Sequence, residues 1–438
     1  MKEASTPLEG DQLPKEVQDA LNFERDLNVD GPVSEDPFYS APAESQDASP
    51  GSVLRVDNNI DPSKYLIPPS TAISRLMYQS EDSAGRPTPV SAFILWPYFA
   101  HKQPDGGLPV VAWAHGTSSI TPEGAPSKMR HLWQHWTCPY HLALQGYVVV
   151  GTDYAGLGVG KSHSGETIPH EYLNTPCHAH DVVYSVQAAR IAYPRLSKDW
   201  LAVGHSQGGG AVWAVAERQA QNPLEGYLGA VPIAPVTRIT DGPDSPLIAL
   251  VGTILTSTIK AADPSFNPDD LLTPAGTKAL KLMHKTSAGL GAMIPLFTHI
   301  LQESGQLLDP TWRQNDHVRR FQDATQTGRK PFAGPLLVIF GEGDDRLDPA
   351  LCTTAVEATV RVFPAAKLKY VLLPQVGHVA ALTASLRISL DWIAERFRGV
   401  PVEEGYEFLR VEAVRPLGEY AKEQNWYPAP ATEFYEAP

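Results

Sequence analysis

The chain has 438 residues, of which 42% are hydrophobic and 19% charged, and its net charge is −14 at pH 7. That is the balance of a globular protein large enough for one domain with insertions or for two. It excludes the basic face that nucleic-acid binding needs, and no apolar run reaches the roughly 18 residues of a membrane span.

Three cysteines (Cys138, Cys177, Cys352) are too few for a disulfide framework, and none lies in a CxxC pair, so mainly reduced thiols and no structural zinc are expected. The N-terminal stretch "MKEASTPLEGDQLPKE" lacks the apolar core of a secretory signal. A cytoplasmic location is therefore expected, with secretion the alternative if a signal has been removed. Residues 1–50 hold 12 Asp and Glu against 3 Lys and Arg, so most of the charge imbalance sits there. Residues 1–36 read as an acidic arm, mobile or wrapped on the surface.

From Pro37 the pattern becomes strand-like. "SVLRV" (52–56), "AISRLMYQ" (72–79) and "PVSAFILWP" (89–97) read as antiparallel strands joined by polar turns. Short continuous apolar runs follow at 109–116, 147–154, 200–206, 229–235, 335–341 and 367–374, as suits strands buried on both faces of a parallel sheet. Between them 128–145, 178–193, 207–222 and 381–398 read as helices. Alternating strand and helix predicts an α/β fold, doubly wound, with a mostly parallel central sheet flanked by helices. The interval between "VPIAP" and "PLLVIFG" is about one hundred residues, too long for a loop in a compact domain. It reads as helices over 245–262, 268–303 and 310–326, an inserted cap. The predicted organisation is an arm (1–36), a core in two parts (37–235 and 334–400), the helical cap (236–333) and an irregular surface tail (401–438).

The stretch "AVGHSQGGG" carries Gly204-His205-Ser206-Gln207-Gly208, a G-x-S-x-G motif between a predicted strand and a predicted helix. That context is what a nucleophile elbow requires. The turn forces the serine into a strained backbone, and its neighbours two positions away must lack bulk. A serine hydroxyl is a weak nucleophile and needs a base held by an acid. On this fold the acid and then the histidine follow later strands, which selects the loop "GEGDDRLDP" and His378 in "LLPQVGHV". In the acidic loop the spacing from Gly341 to Leu347 selects Asp344, whereas counting back from Pro349 selects Asp345 as the reserve acid. Asp348 reads as a turn or helix-capping residue. An oxyanion hole would use the backbone N–H of Gln207 and the Gly116–Thr117 segment after an earlier strand. His115, Asp153 and Tyr154 are candidates to line the substrate.

Other motifs fail on spacing. "GLGVGKS" places Ala155 where a phosphate loop needs its first glycine, and Lys161 where a dinucleotide motif needs its last. The histidines of "HAHD" (178–181), His131 and His135 lack a third metal ligand, and helix capping or solvent exposure is the plainer reading. No cofactor and no metal are expected.

The segments "VVAWAHGT", "GYVVVGTDYAGLG", "GHSQGGGAVWA" and "DPFYSAP…GSVLR" resemble the secretory lipases of fungi and actinobacteria, the lipase-A type of α/β-hydrolase. The resemblance runs from about Asp36 to about Arg398. It implies carboxylic-ester hydrolysis, a Ser206–Asp344–His378 triad, an oxyanion hole at Gln207 and Gly116–Thr117, and a helical cap over an acyl pocket. The partner it implies is a lipid or small-molecule ester. Secreted members usually carry a cysteine where this chain has Gly124, so a disulfide of that family is not expected. The runner-up is an acyltransferase or a lactone-forming or lactone-hydrolysing enzyme using the same triad. A non-catalytic binding protein on the hydrolase fold ranks behind both.

Overall fold

The computed structural model describes residues 13–133 and 138–421. Ten strands form one sheet: β1 (Val53–Asp57), β2 (Ala72–Glu81), β3 (Pro87–Trp96), β4 (Leu108–Ala114), β5 (Val148–Thr152), β6 (Leu196–His205), β7 (Tyr227–Ile233), β8 (Leu336–Gly341), β9 (Leu368–Leu373) and β10 (Tyr406–Arg410). Their order is β1-β2-β3-β5-β4-β6-β7-β8-β9-β10. β1, β2 and β3 pair antiparallel, β3 meets β5 antiparallel, and every later pairing is parallel.

Eleven α-helices accompany the described strands: α1 (Lys15–Asp26), α2 (Pro139–Leu144), α3 (Thr175–Ala192), α4 (Gln207–Gln221), α5 (Pro246–Ala262), α6 (Pro274–Thr286), α7 (Leu290–Ser304), α8 (Asp316–Thr325), α9 (Pro349–Val362), α10 (Ala380–Ala384) and α11 (Leu386–Phe397). The apolar runs are buried on both faces because residues of one strand alternate between two cores. Val110, Ala112, Trp200, Ala202 and Val338 pack with α3, α4 and α9 on one face. Val111, Trp113, Leu201, Val203 and Ile339 pack with α2, α10 and α11 on the other. Helices on both faces of a mostly parallel sheet make this the α/β architecture expected.

A third apolar cluster joins α5, α6, α7 and α8, the helices between β7 and β8. Leu13, Val17 and Leu21 belong to it as well. Of the two alternatives expected for the acidic arm, residues 13–36 take the surface-wrapped one, because α1 buries an i, i+4 apolar edge and leaves its other side exposed. Residues 1–12 of that arm lie outside the described residues.

Four expectations change. The helix expected over 128–145 is reduced to α2, because Leu132 and Trp133 adopt left-handed backbone (φ +52° and +43°). Residues 134–137, with His135, lie outside the described residues. The helix expected over 268–303 splits into α6 and α7 where Ser287 turns left-handed (φ +54°). The helix expected over 381–398 is broken at Ser385 into α10 and α11. Residues 406–410 of the expected tail form β10, which adds parallel to β9 and extends the sheet. The segment "YPAPATEFYEAP" lies outside the described residues.

Candidate active site

Ser206 sits between β6 and α4 with φ +59° and ψ −117°, a conformation a non-glycine residue holds only when its surroundings impose it. Neighbouring strands impose it here. The Ser206 N–H donates to the Ile233 carbonyl (3.0 Å), and its own carbonyl accepts from Val236 N–H (3.2 Å) and Gly210 N–H (3.1 Å). A methyl group on Gly204 would collide with the Gly208 carbonyl, and one on Gly208 with the Ala114 carbonyl. Both glycines are therefore required by close approach of backbone. Ser206 remains partly accessible at the C-terminal end of β6.

His378 lies in the loop after β9, on the same side of the sheet. Its Nδ1 is 2.7 Å from Asp344 Oδ2. The Asp344 side chain is fully buried, and its other oxygen accepts from the backbone N–H groups of Arg346 and Leu347 (both 2.9 Å). The loops of Asp344 and His378 are pressed together: Gly343 N–H donates to Val376 O (3.0 Å), and a methyl group on Gly341 would strike the same carbonyl. The loop of His378 also meets His205, the residue before Ser206. The two rings lie 4.7 Å apart, and His205 Nε2 donates to the His378 carbonyl (3.0 Å). Burial pushes His205 well below the ordinary histidine range, so its ring is neutral.

The other two aspartates of the loop point elsewhere. Asp345 is 67% exposed and 4.0 Å from Arg346. Asp348 caps α9, accepting from Ala350 N–H (2.9 Å).

Gln207 is the first residue of α4, where backbone N–H groups have no intrahelical acceptor. Across from it, the loop after β4 is held from beneath. Tyr154 Oη donates to the His115 carbonyl (3.0 Å), and Trp133 Nε1 (3.0 Å) and His115 Nδ1 (2.7 Å) donate to the Gly116 carbonyl. Thr117 Oγ1 lies 3.1 Å from Tyr172 Oη. The expectation that His115, Asp153 and Tyr154 line the substrate is corrected, because all three are fully buried and committed to the protein. Asp153 accepts from Ser91 Oγ (2.6 Å), Ser127 N–H (2.8 Å) and Ser127 Oγ (2.5 Å). Burial raises its carboxyl to about 6 and lowers His115 to about 4.

His178 and His180 lie inside α3 rather than at its cap. His178 is buried and stacks on Tyr154, with ring centroids 4.6 Å apart. His131 is buried too, its Nδ1 accepting from Trp133 N–H (3.1 Å). Among the described residues no group of three His, Cys, Asp or Glu side chains is arranged to hold a metal ion, and all three cysteines are buried and unbridged.

A cleft of about 390 Å³ opens between residues 235–248 and the Asp344 loop. Val236, Ile239, Ile248, Leu347 and Leu351 give it an apolar wall. Ser206 and His378 are not among its lining residues, but Val236 bonds the Ser206 carbonyl, so the cleft begins beside the serine turn. Tyr172 and His170, which touch Thr117 and Gln207, were not legible as functional: the stretch "IPHEYLNTP" carries no motif.

No family model and no curated protein sequence matches this chain. Solved structures do. Candida antarctica lipase A in its closed state aligns with a TM-score of 0.67 at 16% identity, covering 88% of this chain and 91% of that one. The rice cell wall degrading esterase LipA from Xanthomonas oryzae aligns at 0.61 and 16%, covering 80% and 98%. A putative hydrolase from Legionella pneumophila aligns at 0.65 and 15%, covering 80% and 100%. At these identities the likeness shows the fold alone, that of the α/β-hydrolases.

Proposed function

We propose that the chain is a serine hydrolase of carboxylic esters, with Ser206 as nucleophile, His378 as base and Asp344 as the acid that holds it. Two observations support this reading: a strained, partly accessible serine at the strand-to-helix turn, and a histidine whose Nδ1 is bonded to a buried carboxylate, in a loop that His205, next to that serine, also bonds. With Nδ1–H directed at Asp344, the imidazole keeps Nε2 as an acceptor for the serine proton. Ser206 Oγ attacks the carbonyl carbon while His378 takes its proton. The negative oxygen of the tetrahedral intermediate meets the backbone N–H of Gln207 and an N–H of the Gly116–Thr117 segment. His378 returns the proton to the leaving alcohol, and water then releases the acid from the acyl-enzyme by the same route in reverse. The helices between β7 and β8 act as a cap, and the apolar cleft beside the serine turn takes an apolar part of a lipid or small-molecule ester. Its volume of about 390 Å³ suits such a ligand.

The test is labelling with a fluorophosphonate probe, followed by hydrolysis of short- and long-chain p-nitrophenyl esters. Wild type should be labelled and active, and Ser206→Ala should be neither. Equal labelling of the two proteins would remove Ser206 from the reaction.

A further inference from the structure

We propose that His170 is a positioning residue for this reaction: it fixes the side chain of Gln207 and, through it, the first backbone amide of α4. The inference rests on the ester-hydrolase reading and adds to it a residue outside the triad and the amide loops.

The hydrogen-bond chain has one consistent direction. His170 Nδ1 lies 2.9 Å from the Ala155 carbonyl, which can only accept, so Nδ1 carries the proton. Burial lowers the pKa of His170 to about 4, so at neutral pH the ring holds that proton alone and Nε2 is an acceptor. Gln207 Nε2, 3.1 Å away, is then the donor. The opposite amide orientation would set two acceptors face to face. The same bonds exclude His170 as a second base, since both ring nitrogens are occupied by protein groups.

The clamp is stiff at each point. The His170 ring lies nearly parallel to His178, with a 10° interplanar angle and centroids 5.3 Å apart. Its backbone rests directly on Gly156, where a methyl group would collide with the His170 nitrogen. Gln207 is 1% exposed, so its side chain lies away from solvent.

Stiffness matters because Gln207 follows the strained Ser206. A strained turn persists only where its surroundings over-determine it, and the N–H proposed to meet the oxyanion belongs to the next residue. Releasing the Gln207 side chain frees the first turn of α4 to relax. A misplacement near 1 Å is enough to cost on the order of 100-fold in rate.

The experiment is a double-mutant cycle on His170→Phe, which keeps a ring in the stack, and Gln207→Leu, with His170→Gln as the variant that retains an acceptor. Steady-state hydrolysis of p-nitrophenyl butyrate is measured alongside fluorophosphonate labelling of wild type and Ser206→Ala. Each single variant should lose roughly 10- to 100-fold in kcat with KM within about 2-fold, and the double variant should lose little more than either. His170→Gln should recover most of the rate. Should His170→Phe not fold, Gln207→Leu against His170→Gln carries the comparison: a kcat loss in the first and near wild-type rate in the second are required. Losses that multiply, or that fall on KM alone, overturn the positioning role while Ser206-dependent turnover keeps the hydrolase reading. Absence of any Ser206-dependent labelling and turnover in wild type overturns both.

Discussion

Three carboxylates within five residues begin as chemically equivalent side chains, and backbone direction alone separates them. Asp344 turns inward, gives one oxygen to His378 and fills the other with two backbone N–H groups. Asp345, next along, projects outward, and Asp348 serves a helix cap. Spacing counted from Gly341 and spacing counted from Pro349 point to different residues, so the sequence leaves two registers open. Nothing in residue type distinguishes them, because the deciding feature is which Cβ faces the loop of the neighbouring strand. Asp344→Asn is expected to lower kcat by about 10³- to 10⁴-fold, through loss of the acceptor that orients the imidazole. Asp345→Asn should stay within about 2-fold of wild type, as an exposed carboxylate near one arginine contributes little. Matched kcat measurements on the two variants check this, and the reverse pattern would move the acid by one residue.

At the scale of elements, the parallel strands were readable because burial on both faces leaves continuous apolar runs. What escaped was set by single backbone conformations and by exposure. Ser287 in the left-handed region divides α6 from α7, and serine carries no signal for that. β10 reads Tyr-Glu-Phe-Leu-Arg and is exposed along its length, so neither alternation nor an apolar run marks it. The join of β2, β5 and α3 was equally hidden. Asp181 of α3 accepts from Ser80 Oγ of β2 (2.6 Å) and from Ala155 N–H after β5 (2.9 Å), and Tyr78 Oη donates to its carbonyl (2.8 Å). Burial raises the Asp181 carboxyl to about 7, against an ordinary value near 3.9 in the unfolded chain. Between those two values the native state holds a proton that the unfolded state has lost. Stability from this group therefore falls as pH rises from about 4 to about 7, and levels off outside that window. Asp181→Asn, which mimics the protonated form, should melt at a temperature that is flatter across pH 4.5–8. The difference from wild type should grow toward the alkaline end. A difference that is constant with pH would show that Asp181 does not carry this linkage.

Across the whole molecule, composition was the least faithful guide, and residues 13–33 show why. Their acidity marks solvent contact on one side of α1, while Leu13, Val17 and Leu21 on the other side join the cluster of α5 to α8. The chain then crosses to the sheet domain. Val29 N–H donates to Lys128 O (2.9 Å), Arg130 N–H to Leu27 O (2.8 Å) and Asn28 Nδ2 to Glu123 (3.0 Å). One short segment thus ties the cluster of α5 to α8 to the loop between β4 and α2. At the junction, Glu24 accepts from Gly289 N–H (2.8 Å) and Ala292 N–H (3.0 Å), satisfying the start of α7 from 265 residues away. Beside it, Leu290 N–H donates to Ser118 O (2.7 Å), so the start of α7 also abuts the loop that holds Gly116 and Thr117. Glu24→Ala removes a capping acceptor and should cost about 1 kcal/mol, within the 0.5–2 kcal/mol of ordinary N-caps. Deleting residues 1–30 also uncovers the apolar edge against α7, and should lower the melting temperature by more than Glu24→Ala does. Limited proteolysis should then cut first within 287–304, where the partner has been lost. Cleavage that begins elsewhere, with α7 as protected as in the full chain, would show that α1 rests on these helices without holding them.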